Sequence, residues 1–421
     1  MFTPGIAQIA EDLNASATTV IGTTTGFLIM LGIGPLILAP LSETFGRRNL
    51  YLVCFAIFAV LQIPTALAPN VAFLIAVRSV SGFFGSIGVA NDGGTISDMF
   101  ISSERAGIFG WYLLGPLLGP TLGPLFGGIV VQRLGWRWIF WVLAIVCSAN
   151  TLAGYFFVRE TYAPVILRRL KQRLEANTSN TPTKQYTYEG EDTRPLHKKL
   201  IHSLSRPPRI FIQPIVATMS IYQALVFATT YSIYTNMQDI YGGIYGFSTE
   251  RVGLLYLGPG FGFLAAVLFL VPRIDSVYNS LSARHSSPKP EFRLPLANIG
   301  AVLIPTSLFA FAWAVEYRVH WFASIVPMFF YGIGQVMILN TTQNYYIDCF
   351  ERYAASAIAA GTVCRSVVGG VVPLVAPGLF DKLGYGWGVS VFGFVGVGLA
   401  PAPVVFYVFG QRIRERFKVE L

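Results

Sequence analysis

Charge is what this chain of 421 residues has least of: Asp, Glu, Lys and Arg together make up 12% of it, against roughly 25% in soluble domains. That excludes an ordinary water-soluble fold. Cysteine is scarce as well. Cys54, Cys147, Cys349 and Cys364 stand in or beside apolar runs, without zinc-type spacing or a loop setting suited to a disulfide, and read as small packing residues. The histidines His197, His202, His285 and His320 form no metal-type arrangement, so neither a metal nor another cofactor is expected. No Gly-rich phosphate loop is present, which removes ATP as an energy source, and no catalytic cluster emerges, so the chain does not read as an enzyme. Net charge is +9, but the cations are not interleaved with aromatics on a soluble face, and nucleic acid is not an expected partner.

Long apolar runs are what the chain has in abundance. They occupy roughly 18–41, 49–68, 71–97, 106–130, 138–158, 211–235, 251–272, 294–315, 319–347, 354–376 and 387–409. Each is close to the twenty or so residues that carry a helix across a bilayer core of about 30 Å. The backbone finds no water there, so repeated runs of this length mean helices, and the fold class is an all-α membrane protein with about eleven spans. The lipid bilayer is thus one partner. The opening residues 1–10 are too short to cross and lack the basic start and apolar centre of a signal peptide. Most Lys and Arg fall in alternate loops: Arg47 and Arg48, Arg105, residues 159–210 and 273–293, Arg352 and the tail. The other loops hold only Arg133, Arg137, Arg251, Arg318 and Lys382. Positive-inside weighting puts the first set, and the C-terminus, in the cytoplasm. Eleven spans then leave the N-terminus outside.

Residues 159–210 divide the chain into 1–158, with about five spans, and 211–421, with six spans and a short basic tail. The divider is polar. Its first half, VILRRLKQRLEAN, reads either as a basic amphipathic helix on the inner leaflet or as a plain solvated linker helix. Two bundles joined by a long cytoplasmic loop is a transporter-like plan.

Charged residues lodged among apolar runs usually sit at a membrane face or perform a function. The loop Ala39-Pro-Leu-Ser-Glu-Thr-Phe-Gly-Arg-Arg48 is the clearest case. Glu43 lies near a helix end, Gly46 allows a sharp turn, and Arg47 and Arg48 are cations able to hold a neighbouring helix. In 106–130, Gly119-Pro-Thr-Leu-Gly123-Pro124-Leu-Phe-Gly127-Gly128 places small residues every four positions, which brings helix backbones close, and its prolines bend the helix. Arg78 lies inside the span 71–97 and must face the interior or a wet cavity.

These segments resemble the major facilitator superfamily, specifically the fungal drug:proton antiporters with twelve spans. APLSETFGRR is similar to that family's loop between spans 2 and 3, with Ala39 for the usual Gly and Glu43 for the usual Asp. The resemblance implies that Glu43, Gly46, Arg47 and Arg48 form a conformational latch. It implies that Gly119, Gly123, Pro124, Gly127 and Gly128 form the antiporter motif of span 5, and that Arg78 takes part in proton coupling. Gly135-Trp-Arg-Trp-Ile-Phe-Trp141, an expected aromatic belt, Arg159-Glu-Thr-Tyr-Ala-Pro164 and Leu383-Gly-Tyr-Gly-Trp387 extend the likeness over nearly the whole chain. The stub TPGIAQIAEDLNAS resembles the end of the family's first span and the loop after it. The expectation is therefore a twelve-span plan with most of the first span missing. The resemblance further implies two pseudo-symmetric bundles and export of small organic molecules (drugs, toxins or secondary metabolites) by alternating access, driven by protons. The protein would be a monomer in the plasma membrane or, alternatively, the vacuolar membrane. An importer or sensor of the same fold, or a non-transporting remnant, are the other readings.

Further polar residues fall inside the spans. Asp92, beside Asn91, reads either as a protonatable carrier or as an acid in a wet vestibule. Asp98 and Asp348 stand at span ends as structural acids. Gln335, Asn340 and Asn344 share a stripe of one span, where cavity lining competes with interhelical hydrogen bonding, and Tyr222 and Gln223 have the same standing. Arg365 pairs either with a substrate or with a carbonyl. Asn14-Ala-Ser16 is a glycosylation sequon close to a span.

Overall fold

The computed structural model describes residues 2–100, 104–177, 187, 195–350 and 354–417. Its helices are α1 (Ile6–Asp12), α2 (Ala17–Phe45), α3 (Arg47–Ala66), α4 (Val71–Gly85), α5 (Ile87–Met99), α6 (Arg105–Leu134), α7 (Arg137–Phe157), α8 (Ala163–Asn177) and α9 (Leu196–Phe211). The second half continues with α10 (Pro214–Met237), α11 (Thr249–Leu255), α12 (Leu257–Ala265), α13 (Val271–Arg284), α14 (Ala297–Glu316), α15 (Trp321–Cys349), α16 (Ala354–Leu399) and α17 (Ala402–Arg416). No strand occurs among the described residues.

Local chemistry sets several of the ends. The Ser16 hydroxyl accepts from Thr19 N at 3.1 Å and caps α2, and Asn70 Oδ1 accepts from Phe73 N at 2.9 Å and caps α4. Gly46, at φ 95°, turns the chain from α2 into α3 in a conformation that a side chain would strain. Gly384 does the same inside α16, at φ 71°.

Nine helical stretches among the described residues are long and apolar enough to cross a membrane, or ten when the bent pair around Gln213 counts as one. One of them runs 61 residues, from Ser356 to Arg416. At 1.5 Å per residue that is about 90 Å, three bilayer cores deep, so the break at Gly384 divides it into two passages. The crossings then match the spans read from the sequence. Many large apolar side chains face outward, among them Phe157 at 82% and Phe156 at 71% exposure. In water they would form an untenable apolar surface. This is a multi-pass membrane protein.

The helices form two bundles with their own cores. Val20, Ile21, Leu74, Ile139 and Phe140 pack together in the first, and Tyr222, Val226, Ile304, Phe311 and Phe392 in the second. A third cluster joins them, with Phe109, Leu113 and Leu117 of α6 against Phe263, Val267 and Met337. The bundles meet along two seams: α2 and α5 with α16, and α6 with α11–α13 and α15. Between the bundles, α9 packs on both α2 and α16. The sequence pattern of 159–210 does not reveal this helix, since it marks only the first half of the segment as helical.

Candidate transport site: two ion-pair clasps and a central arginine

The Gly46 corner carries Arg47 into a nest of acids. Arg47 Nε donates to Asp98 Oδ2 at 2.8 Å, and its backbone N–H donates to Glu160 Oε1 at 3.0 Å. Its guanidinium lies 5.1 Å from the Tyr162 ring centre. Gly94 makes room, since a Cβ there would sit 2.5 Å from Arg47 Nη1. Burial pushes the Asp98 carboxyl up from 3.8, against the lowering pull of Arg47. Burial, aided by the charge of Glu43, pushes the Tyr162 hydroxyl up to about 12. Arg48 turns outward and donates from Nε to Val158 O at 2.7 Å and from Nη2 to Tyr155 O at 2.9 Å. The paired arginines therefore have different duties, one tying α3 to α5 and the 158–162 segment, the other holding the end of α7. The acid of the loop itself, Glu43, lies within the electrostatic reach of Arg47 and Arg206. The short contacts to Arg47 come instead from Asp98, expected only as a structural acid, and from Glu160, expected only within the segment that closes a span.

The second bundle repeats this arrangement. Arg293 Nε donates to Asp348 Oδ2 at 2.7 Å, and Nη1 donates to Asp275 Oδ1 at 2.7 Å. Its guanidinium sits 3.8 Å from the Tyr278 ring centre. Arg293 precedes α14 and Asp348 nearly ends α15, as Arg47 opens α3 and Asp98 nearly ends α5. Asp275 also accepts from Gly107 N at 2.7 Å through Oδ2, so the positive N-terminal end of α6 rests on a carboxylate of the other bundle. Sequence reasoning missed Arg293. The signal for it was a cation just before an apolar run, the same placement as Arg47.

Arg78 lies deep inside α4, 9% exposed. Its guanidinium stands 4.3 Å from the Phe27 ring centre and 5.7 Å from that of Phe140, and its Nε has no hydrogen-bond partner. A central charge in a membrane helix costs about 2.5–3.5 kcal/mol. A desolvated cation–π contact returns about 2, which leaves an incentive to take an additional partner. Arg78 faces a cavity of about 130 Å³ that is also lined by Phe27, Pro120 and Pro124 from the first bundle and Tyr231 and Tyr234 from the second. Tyr231 and Tyr234 were not singled out in the sequence. Their spacing of three residues places both on one face of α10.

In the Gly119–Gly128 segment the roles divide. A Cβ on Gly128 would lie 2.9 Å from Thr249 O, and one on the facing Gly253 would lie 3.1 Å from Pro124 O. These are the contacts that bring α6 onto α11. A Cβ on Gly119 would meet nothing within 4 Å. Gly123 is half-buried and Gly127 buried in the same helix.

Tyr222, Gln223, Gln335, Asn340, Asn344 and Arg365 are all buried in the second bundle; none lines the Arg78 cavity, though Arg365 lies within electrostatic reach of its Tyr231. Thr230 Oγ1 donates to Gln335 Oε1 at 3.3 Å, and Asn344 Nδ2 to Asn340 Oδ1 at 3.0 Å. The Arg365 guanidinium lies 4.9 Å from the Phe227 ring centre. The side chain of Asp92 lies outside the described residues. Asn14 is exposed at φ 48°, while the Ser16 hydroxyl of its sequon is engaged as the α2 cap. Trp136, expected in an aromatic belt, is instead 1% exposed and donates from Nε1 to Asp12 Oδ2 at 2.8 Å. Trp138, at 46%, faces outward.

The family model described as Major Facilitator Superfamily matches residues 1–373. The chain belongs to that superfamily. Among its relatives, the MFS-type transporter tndD of Aspergillus flavipes is 40% identical over 99% of this chain and 78% of its own length. The MFS-type transporter penM of Penicillium rubens is 37% identical, covering 100% and 83%. The efflux pump radE of Floropilus chiversii is 36% identical, covering 100% and 79%. The xylose transporter XylE of E. coli, solved in a partially occluded inward-open conformation, superposes with a TM-score of 0.63 at 16% identity, covering 97% of this chain and 94% of that one. At such low identity the likeness concerns the fold. As a superfamily member the protein is a membrane transporter of small substrates.

Proposed function

We propose that this transporter exports small organic molecules in exchange for protons, by alternating access, with residues 1–158 and 211–421 as the two moving bodies and 159–210 joining them. The observation that carries this reading is Arg78: a buried guanidinium with an unpartnered Nε, on a cavity lined by both bundles and by prolines of the Gly119–Gly128 segment. A cation there favours the deprotonated form of any acid or acidic substrate group that enters and releases it when a proton arrives. The cavity holds about 130 Å³, against 300–1,000 Å³ for drug-sized ligands. Loading therefore requires α2 to part from α16, or α6 from α11–α13. The name of the relative radE, an efflux pump, supports the outward direction. The loop cations support an orientation with the Arg47 face and the C-terminus in the cytoplasm, in the plasma membrane. The test is growth of a pump-deficient yeast carrying this protein on a panel of toxic organic compounds. Wild type confers tolerance to at least one of them and Arg78→Gln, at equal membrane abundance, does not. Heightened sensitivity conferred by wild type would indicate uptake and overturn the direction.

A further inference from the structure

The first turn of α8 is pinned beside the Arg47 corner, and beyond it most side chains of the helix up to Glu175 are exposed. Glu160 Oε1 accepts from Arg47 N at 3.0 Å, and Val165, 3% exposed, lies 3.4 Å from where a Cβ on Gly46 would be. Beyond that root, Ile166, Leu170 and Leu174 are 44%, 50% and 38% exposed. At intervals of four they form one stripe along the helix. Arg169 and Arg173 flank it on one edge and Lys171 on the other, with Arg168 on the far side, while Glu175 is the one acid of the helix. The helix starts six residues after Phe157, whose 82% exposure, with the 71% of Phe156, marks lipid-facing surface at this end of α7.

We propose that α8 is a membrane-surface helix that binds anionic phospholipid, with the Ile166–Leu170–Leu174 stripe in the acyl boundary and Arg169, Arg173 and Lys171 on the headgroups. An apolar stripe edged by long cationic side chains suits the plane of a bilayer, because the stems cover apolar surface while the charges reach the phosphates. Net positive charge selects anionic over zwitterionic headgroups. The occupant is lipid and not a protein groove, because the helix begins within a few residues of the lipid-facing end of α7 and its root is fixed there. Lipid binding on α8 thereby acts on the segment that also holds Arg47.

The test labels Leu170→Cys with an environment-sensitive fluorophore in the full-length protein, with Cys54, Cys147, Cys349 and Cys364 replaced. The labelled protein is reconstituted in vesicles of phosphatidylcholine doped with either brominated phosphatidylserine or brominated phosphatidylcholine. The expected result is quenching at a much lower fraction of the serine lipid. Arg169→Gln with Arg173→Gln should weaken that preference about 30-fold, since each cation near an anionic surface contributes about 1 kcal/mol, and Arg318→Gln on the opposite face should leave it unchanged. A label that neither lipid quenches places α8 in water and overturns the proposal. Equal quenching by both lipids, unaffected by the arginine substitutions, overturns the anionic preference.

Discussion

Arg293 and Asp348 form a buried ion pair, Nε to Oδ2 at 2.7 Å, that reproduces in the second bundle the Arg47–Asp98 pair of the first, at 2.8 Å. Each joins the start of one helix to the end of the next, so each bundle carries its own clasp on the same face. The second is the more deeply buried: the Arg293 side chain is 0% exposed and that of Asp348 5%, against 6% and 23% for Arg47 and Asp98.

Removing the cation of this clasp takes the guanidinium from two carboxylates at once, Asp348 and Asp275. Arg293→Ala should destabilise the protein by about 3–5 kcal/mol. Asp12→Ala, which breaks the pair with Arg137 between side chains 43% and 46% exposed, should cost about 0–1 kcal/mol. Thermal unfolding in detergent distinguishes the two. Equal melting temperatures would show that the clasp does not hold the bundle.

The Asp98 carboxyl gives the Arg47 pair a pH dependence. Burial raises its value from 3.8 in the folded protein, so the folded form holds the proton more tightly than the unfolded one. The contribution to stability is fully present below 3.8 and is lost as pH rises through the raised value. Melting temperature followed upward from about pH 4 should fall more for wild type than for Asp98→Asn. Parallel curves would contradict this.

Within the Gly119–Gly128 segment, steric room separates residues that look equivalent in sequence. Gly128→Ala puts a Cβ 2.9 Å from Thr249 O and should push α6 off α11, lowering stability and transport together. Gly119→Ala meets open space and should be tolerated. Efflux assays at matched membrane abundance check both.

In the proposed alternating access, one route to the cavity opens by parting α2 from α16. A Cβ on Gly32 would lie 2.6 Å from Ser366 Cβ, within bridging reach after a small shift. Gly32→Cys with Ser366→Cys, the native cysteines replaced, should lose transport on oxidation and regain it on reduction. Undiminished transport in the oxidised protein would mean that this contact does not open.

Several features were legible in the sequence because a membrane makes them costly. Arg78 inside an apolar run and the charged corner at Gly46 stand out for that reason, and span number follows from run length. The partners of Arg47 were not legible. Asp98 and Glu160 lie 51 and 113 residues away, and nothing in a sequence ranks three acids, Glu43 included, by distance. The helix α9 was hidden by Pro207 and Pro208, which read as breakers but lie within it. Of the expected stripe Gln335, Asn340 and Asn344, only Asn340 and Asn344, four residues apart, share a face of α15, while Gln335 lies nine residues before Asn344 and half a turn round, and spacing does not say whether a face meets a cavity or another helix. The structure buries all three and bonds Asn344 to Asn340.

Arg78 is proposed to couple substrate movement to protons. The direct measurement is made in vesicles with a pH dye sealed inside, containing the reconstituted protein, to which a compound identified by the growth panel is added outside. Entry of the compound in exchange for protons should turn the lumen alkaline with wild type and leave it unchanged with Arg78→Gln. Accumulation of the compound without any pH change, or equal alkalinisation with Arg78→Gln, would contradict it.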